Sequence, residues 1–488
     1  MKKILIGIIT IFFLASASPL HAKNIGVPAE CEDVMLQGFY WDSYQTTSKY
    51  GGTGWNRLIK DTAAITRNFD LIWLPPSAYA GDNGGVGYYH VQLSDQDSKW
   101  GKATALSKLI AAFHRGGTKV LADIVINHRN DAGKWTNFAK DYFGPGYGTF
   151  ELTQEHICSG DEAFWTSGSP AYGSSVHGAE DTGTNDGGCR DLDHSSEYVQ
   201  NWAKTYVRWM IDSMKYDGFR YDMTRGYSGQ YLSMYNEAAQ PYLSVSEFWT
   251  GISDILSHLY VADYNTMVFD FPLKYVLNEA ISEGKYGRLK RNANSLRGQG
   301  KSRYAVTFID NHDTFERAEE DACNQEFMGC KVDLNNASIK NAILQANAYI
   351  LMMPGVPCVF YPHWAKYKEQ ISALIAVRKL AGIHSESAVS NESGSNSKPY
   401  EGTIQGHRGR VILRIGADRS KDAPEGYHLA LEGSDMGSDF TIFVSDDVVT
   451  GVEDVRRDDV RCTKVMKDGR LYLKYEGRMY DVRGHEVR

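Results

Sequence analysis

Apolar and polar residues follow one another along this chain in a pattern that predicts alternating strands and helices between residues 34 and 382. The strand-like segments are short and largely apolar, as in a buried parallel sheet, and the helix-like ones are amphipathic. The predicted strands are 34–41, 71–76, 118–128, 216–223, 241–249, 266–273, 304–313 and 355–363. The predicted helices are 55–67, 105–114, 197–215, 274–298, 337–352 and 366–382.

Strands alternating with helices over about 350 residues predict an α/β fold, a (β/α)8 TIM barrel. A doubly wound open sheet is the alternative, but no glycine-rich phosphate-binding turn supports it. Residues 129–190 are rich in Gly, Ser and Asp and too long for an ordinary connection, so they predict a domain inserted after strand three. Short alternating segments beyond residue 384 predict an antiparallel sheet domain. The predicted domain limits are 1–22 (signal peptide), 23–128 and 191–383 (barrel), 129–190 (insertion) and 384–488 (C-terminal sheet).

The first 22 residues have the pattern of a secretory signal peptide. Lys2 and Lys3 precede an apolar run over 4–15, and small residues allow cleavage near Ala17 or Ala22. We therefore expect an exported protein, periplasmic or extracellular. No later apolar run is long enough for a membrane span. A net charge of −8 gives no reason to expect a nucleic-acid partner, and we expect a monomer.

Aromatic and cysteine residues add two observations. Aromatic residues make up 12% of the chain, and their rings are suited to stacking on sugars, although they also fill ordinary cores. Two cysteine pairs lie in polar surroundings and are candidate disulfides, namely Cys158 with Cys189 and Cys323 with Cys330. Cys358 lies in an apolar run and is predicted to be a buried thiol.

Polar residues gather at the predicted carboxyl ends of the strands, where barrels of this kind carry their active sites. Arg220 and Asp222 are two residues apart and therefore share one strand face. Alone, that pair is equally well explained as a structural salt bridge. Glu247 and Asp313 end two other strands, and two carboxyl groups flanking a bond are the machinery of glycoside hydrolysis. The three carboxylates together predict a glycosidase active site, with salt bridges at the barrel rim as the alternative for any one of them.

Four segments, in order, resemble the sequence blocks of the alpha-amylase family, glycoside hydrolase family 13. They are DIVINH (123–128), GFRYDMTRG (218–226), SEFW (246–249) and FIDNHD (308–313). Four further segments are similar to those of plant-type and related bacterial alpha-amylases: GYYHVQLSDQDSKWG (87–101), DTGTNDGGCRDLDH (181–194), TRGYS (224–228) and RKLAGIHSES (378–387).

This resemblance implies roles for the strand-end residues. Asp222 is the expected nucleophile, Glu247 the general acid/base and Asp313 the stabiliser of the transition state. The family retains anomeric configuration, so the first two carboxyl groups should lie roughly 5–5.5 Å apart. Glu247 must be protonated, which calls for a raised pKa. The expected substrate-binding residues are Tyr88, His128, Arg220, Arg225 and His312.

Arg225 departs from the family pattern, in which lysine is common at this position. The planar guanidinium of arginine replaces the compact ammonium of lysine there, and this changes the contacts on the leaving side of the cleaved bond.

The resemblance also implies a structural Ca²⁺ between the insertion and the barrel. Oxygen ligands of the kind that this cation prefers would come from side chains and main-chain carbonyls. The expected ligands are Asn127, Asp181, Thr184, Asp191 and Gly226, with Thr184 and Gly226 contributing main-chain oxygens. The alternative for acidic residues in this region is that they solvate a polar loop.

The expected function is therefore an exported, retaining endo-alpha-amylase acting on α-1,4 bonds of starch, glycogen and maltooligosaccharides. Another activity of the family, such as transglycosylation, maltogenic action or cleavage of small oligosaccharides, is the nearest alternative. A catalytically inactive glucan-binding protein is the alternative from another class. Such a protein would be expected to lack one of the three carboxylates, and this chain has all of them.

Overall fold

The computed structural model describes most of the chain beyond the predicted signal peptide. Cys323, Cys330 and the start of the helix predicted at 337–352 lie outside the described residues. The described ranges are 23–81, 85–133, 135–161, 167–168, 172–173, 175–184, 189–315, 342–416, 422–435, 438–448, 462–467, 470–475, 478–481 and 486–487.

Eight parallel strands close into a barrel, which confirms the predicted fold class. Helices cover the outside of the barrel, so almost every strand residue is buried, as the continuous apolar segments predicted. The barrel strands in chain order are β1 (Met35–Gln37), β2 (Leu71–Trp73), β3 (Lys119–Ile124), β4 (Gly218–Tyr221), β5 (Ser244–Ser246), β6 (Met267–Phe269), β7 (Ala305–Phe308) and β8 (Val356–Phe360).

The helices follow the predicted amphipathic segments, with some differences. The helix predicted at 274–298 ends at Ser282, because Gly284 turns the chain with a φ of +65° that residues with a side chain rarely adopt. Helices α4, α5 and α8 were not predicted, and α8 begins within the strand predicted at 355–363. The helices are α1 (Trp55–Thr66), α2 (Ala103–Gly116), α3 (Glu197–Asp212), α4 (Gly229–Ala239), α5 (Ile252–Val261), α6 (Phe271–Ser282), α7 (Ile343–Met352), α8 (Tyr361–Lys366) and α9 (Lys368–Ala381). No helix in the described ranges is long and apolar enough to cross a membrane.

The described parts of the chain between β3 and α3 form two small two-stranded sheets, separate from the barrel sheet. The two ends of this segment pair as short antiparallel strands, His128–Arg129 with Arg190–Asp191, which sets His128 opposite Asp191. The predicted disulfide between Cys158 and Cys189 is wrong: both side chains are buried thiols, and the Cys189 thiol interacts with the neighbouring Arg190 side chain.

The C-terminal region forms antiparallel sheets, as predicted. One sheet has the order β9-β10-β11-β13-β12, and it contacts the barrel where Gln345 of α7 donates to the Asp439 carbonyl at 2.7 Å. Cys358 in β8 is buried, as predicted. The strands of the first sheet are β9 (Val389–Ser395), β10 (Lys398–Gln405), β11 (Arg410–Ile415), β12 (Tyr427–Asp435) and β13 (Ser438–Ser445). A second sheet contains β14 (Cys462–Lys467), β15 (Arg470–Tyr475), β16 (Arg478–Asp481) and β17 (Glu486–Val487).

Candidate active site

One arginine holds the carboxylates at the ends of three neighbouring strands. Arg220 in β4 is 1% exposed, and one of its Nη atoms lies 2.7 Å from Asp123 Oδ1 and 2.7 Å from Asp222 Oδ1. The other Nη atom lies 2.7 Å from Glu247 Oε1. The predicted salt bridge is therefore present, and it belongs to a cluster that brings two of the expected catalytic carboxylates to a single guanidinium.

The charges in this cluster do not balance, and the protonation of Glu247 follows from that. A single buried guanidinium cannot compensate three ionised carboxylates. Burial, together with the negative charges of Asp222 and Asp313, raises the pKa of Glu247 to about 8 against the opposing effect of Arg220. Burial likewise raises the pKa of Asp123 to about 7. Glu247 therefore holds its proton at neutral pH, as a general acid must.

The turn after Asp222 orients Glu247. Met223 has a φ of +44°, which lies in the left-handed region. This conformation is energetically unfavourable for a residue that has a side chain. In that conformation its N–H donates to Glu247 Oε2 at 2.9 Å, while the N–H of Glu247 donates to the Tyr221 carbonyl at 2.9 Å. The backbone of β4 thus sets the position of the carboxyl group at the end of β5.

Aromatic rings form a stack beside the carboxylates. The rings of Tyr88 and His312 are stacked with centroids 5.3 Å apart, and Trp41 stacks on both of them at 6.0 and 5.8 Å. The Gln37 amide donates to His312 Nδ1 at 3.0 Å, which leaves the proton on Nε2, 3.2 Å from Asp313 Oδ2. The structure therefore brings the third predicted carboxylate, Tyr88 and His312 together.

His128 and Arg225 bond to main-chain carbonyls near the site. His128 is 2% exposed, and its Nε2 lies 3.1 Å from the Tyr88 carbonyl. Arg225 donates to the Trp249 carbonyl at 3.0 Å, two residues beyond Glu247. The Trp249 ring lies parallel to Phe271 at 4.8 Å. Substrate contacts of His128 and Arg225 remain predictions, and in this structure both side chains hold neighbouring loops in place.

Sequence reasoning did not assign four residues that the structure places in or beside the site. Asp123 accepts from Arg220 and, through its other oxygen, from Tyr88 and Trp73 at 2.9 and 3.0 Å. Its signal was present, because it opens the DIVINH block. Gln37 could also have been found, because it is a polar residue inside the apolar strand predicted at 34–41. The unassigned residues are Gln37, Trp41, Asp123 and Trp249.

Whether the predicted ligands suit calcium can be judged from the buried oxygen atoms that receive no hydrogen bond from the described residues. Asn127 Oδ1 and Asp181 Oδ2 are buried and accept no hydrogen bond from the described residues. Asn127 Nδ2 donates to Asp191 Oδ1 at 2.9 Å, and a Cβ atom at Gly226 would lie only 1.8 Å from Asn127 Oδ1. The Thr184 amide donates to the Arg225 carbonyl at 2.8 Å, which joins the insertion to the same loop. These residues fit a hard cation, since they leave buried oxygens without donors.

Comparisons with known proteins agree with this geometry. The sequence profile described as "Alpha amylase, catalytic domain" matches residues 66–410. The chain is 28% identical to "Alpha-amylase 3, chloroplastic" of Arabidopsis thaliana, with 83% of this chain but only 43% of that protein aligned. It is 29% identical to "Probable alpha-amylase 2" of the same plant, over 73% of this chain and 82% of that protein. An alpha-amylase from Geobacillus thermoleovorans in complex with acarbose shares the fold, with a TM-score of 0.56, 16% identity, and 85% of this chain and 98% of that one covered.

Proposed function

The chain belongs to the alpha-amylase family of glycoside hydrolases, and from that premise we propose that it is a retaining endo-alpha-amylase. Its substrates are α-1,4-glucosidic bonds of starch, glycogen and maltooligosaccharides. The observation that carries the proposal is the Arg220 cluster, in which Asp222 and Glu247 contact the two Nη atoms of one guanidinium at 2.7 Å each.

The reaction uses these two groups in turn. Asp222, positioned by its hydrogen bond from Arg220, attacks the anomeric carbon while the Glu247 carboxyl gives its proton to the departing glycosidic oxygen. Glu247 then takes a proton from a water molecule, whose oxygen displaces Asp222 from the same carbon. Two displacements restore the original configuration. Asp313, joined to His312, faces the positive charge that develops on the sugar ring.

Calcium is part of the proposal. The side chains of Asn127, Asp181 and Asp191 and the main-chain oxygens of Thr184 and Gly226 would hold it. Bound there, it would supply positive charge beside the carboxylates of Asp181 and Asp191. The residues themselves join the insertion to the loop that follows Asp222, so the position of the nucleophile depends on this junction.

Export is also proposed, on the strength of the basic and apolar start of the chain. N-terminal sequencing of the protein from the periplasm and the medium checks it. A new N-terminus near residue 18 or 23 supports export, and an intact Met1 on protein confined to the cytoplasm contradicts it.

Release of reducing ends from soluble starch tests the activity. We expect release by the wild type and almost none by Asp222→Asn, which keeps the shape of the side chain but loses its charge. Asp61→Asn is the matched control, because Asp61 lies in α1, where it pairs with Arg57 one turn away at 3.5 Å and takes no part in the Arg220 cluster. Glucan binding without release by the wild type would favour the inactive binding protein, and products longer than the substrate would favour transglycosylation.

A further inference from the structure

Two histidines and a glutamate meet where the C-terminal sheet joins the barrel. Glu30 precedes β1, His384 follows α9, and His407 lies in the turn between β10 and β11. One ligand atom from each lies within 4.8 Å of the other two. This junction is at the amino-terminal end of the barrel strands, opposite the Arg220 cluster.

His407 is already oriented as a metal ligand. Its Nδ1 lies 3.0 Å from Glu32 Oε1, and since a carboxylate only accepts, Nδ1 carries the proton. Nε2 faces Glu30 and lies 3.6 Å from its Oε2. A carboxylate that fixes the far nitrogen is the usual support of a metal-binding histidine.

Glu32 is itself held in place. Arg408 donates to both of its carboxylate oxygens, at 3.1 and 2.6 Å. The carboxylate that bonds His407 Nδ1 is therefore fixed through both of its oxygens.

His384 supplies the second imidazole. The residue is 7% exposed, so its ring is largely shielded from water. In the described structure its ring makes one long hydrogen bond, 3.3 Å from the Glu386 amide to Nδ1.

The two imidazoles are stacked 4.1 Å apart at 14°. Rings bound in their own planes to one ion cannot remain parallel, so one has to turn. The His407 side chain is 41% exposed and has room to do so.

We propose that Glu30, His384 and His407 bind a divalent transition-metal ion of the Zn²⁺ class, and that this ion fastens the C-terminal sheet to the barrel. Imidazole nitrogens select such ions over Ca²⁺, which takes oxygen ligands. The site is therefore separate in place and in metal from the proposed calcium site.

Zinc titration of the full-length protein, kept saturated with Ca²⁺, tests the proposal. By calorimetry we expect one equivalent of Zn²⁺ to bind with a micromolar or lower Kd, and Zn²⁺ to raise Tm. His407→Ala should abolish both effects, and Glu32→Gln should weaken affinity by about 10–100-fold. His428→Ala is the matched control, since His428 also pairs with a carboxylate of the C-terminal sheet, Asp446 at 2.9 Å.

Because His384 is buried and its variants can misfold, the exposed His407 and Glu30 carry the test. Glu30→Gln should weaken Zn²⁺ binding without changing the circular dichroism spectrum or the rate on starch. Absence of Zn²⁺ binding by the wild type, or equal Zn²⁺ affinity in His407→Ala and wild type, would overturn the proposal.

Discussion

Replacing Arg220 with lysine tests whether one guanidinium organises the active site. Lysine keeps the positive charge but replaces a planar fork with a single ammonium. One Nη atom bonds Asp123 and Asp222, and the other bonds Glu247, all at 2.7 Å. A lysine ammonium can occupy the position of only one of the two Nη atoms. The variant therefore loses either the bond to Glu247 or the two bonds to Asp123 and Asp222.

The magnitude follows from the number of bonds. Hydrogen bonds to charged groups contribute about 1.5–3 kcal/mol each, so the loss is about 1.5–6 kcal/mol. Because about 1.4 kcal/mol corresponds to a tenfold change in rate, kcat should fall between about tenfold and ten-thousandfold. The larger value applies if the ammonium bonds only Glu247 and leaves Asp222 without its partner.

The assay is the initial rate of reducing-end release at saturating starch, with thermal unfolding measured in parallel. Arg297→Lys is the matched control, because Arg297 makes a comparable fork to Glu392, at 3.0 and 2.8 Å, outside the active site. We expect wild-type kcat from the control. A folded Arg220→Lys protein with wild-type kcat would refute the reasoning.

Four further predictions concern the metal and the general acid. EDTA should lower both Tm and activity, with recovery on adding Ca²⁺, and an unchanged Tm would contradict the calcium site. Gly226→Ala should weaken Ca²⁺ binding and lower kcat because its Cβ would meet Asn127 Oδ1 at 1.8 Å; in Gly251→Ala the Cβ meets nothing within 4 Å, and calcium titration should give the wild-type affinity. Activity should fall as pH rises through about 8, where Glu247 loses its proton. Since its folded pKa exceeds the ordinary 4.5, the contribution of Glu247 to stability should decline between pH 4.5 and about 8. Asp123, whose pKa is also raised, adds to the decline, so Glu247→Gln should reduce it in a Tm–pH series without removing it.

The sequence predicted the barrel because buried parallel strands need continuous apolar segments, and it predicted the strand-end carboxylates because the fold exposes those ends. It did not show what each side chain bonds. The charge of Arg225 suggests that it binds substrate, but in the structure it donates to the Trp249 carbonyl. Every residue has a main-chain carbonyl, so the sequence cannot show which one will accept this hydrogen bond.

Contacts between segments that are distant in the chain could likewise not be predicted from the sequence. Gln37 and His312 are 275 residues apart in the chain and meet only because β1 lies close to the end of β7 in the closed barrel. The same holds for Glu30, His384 and His407, whose spacing matches no local metal motif. The prediction that a helix runs to residue 298 was wrong. The apolar residues keep a helical spacing beyond Gly284, but the helix itself ends at Ser282 and the backbone turns at Gly284.

Trapping the covalent intermediate tests the central claim most directly. Glu247→Gln incubated with an activated maltosyl fluoride should form a glycosyl-enzyme, because the good leaving group needs no acid and the variant lacks the base that would hydrolyse the intermediate. Mass spectrometry should then find one maltosyl group, on the peptide that contains Asp222. A label on another residue, or turnover without a label and with inverted configuration by NMR, would contradict the account.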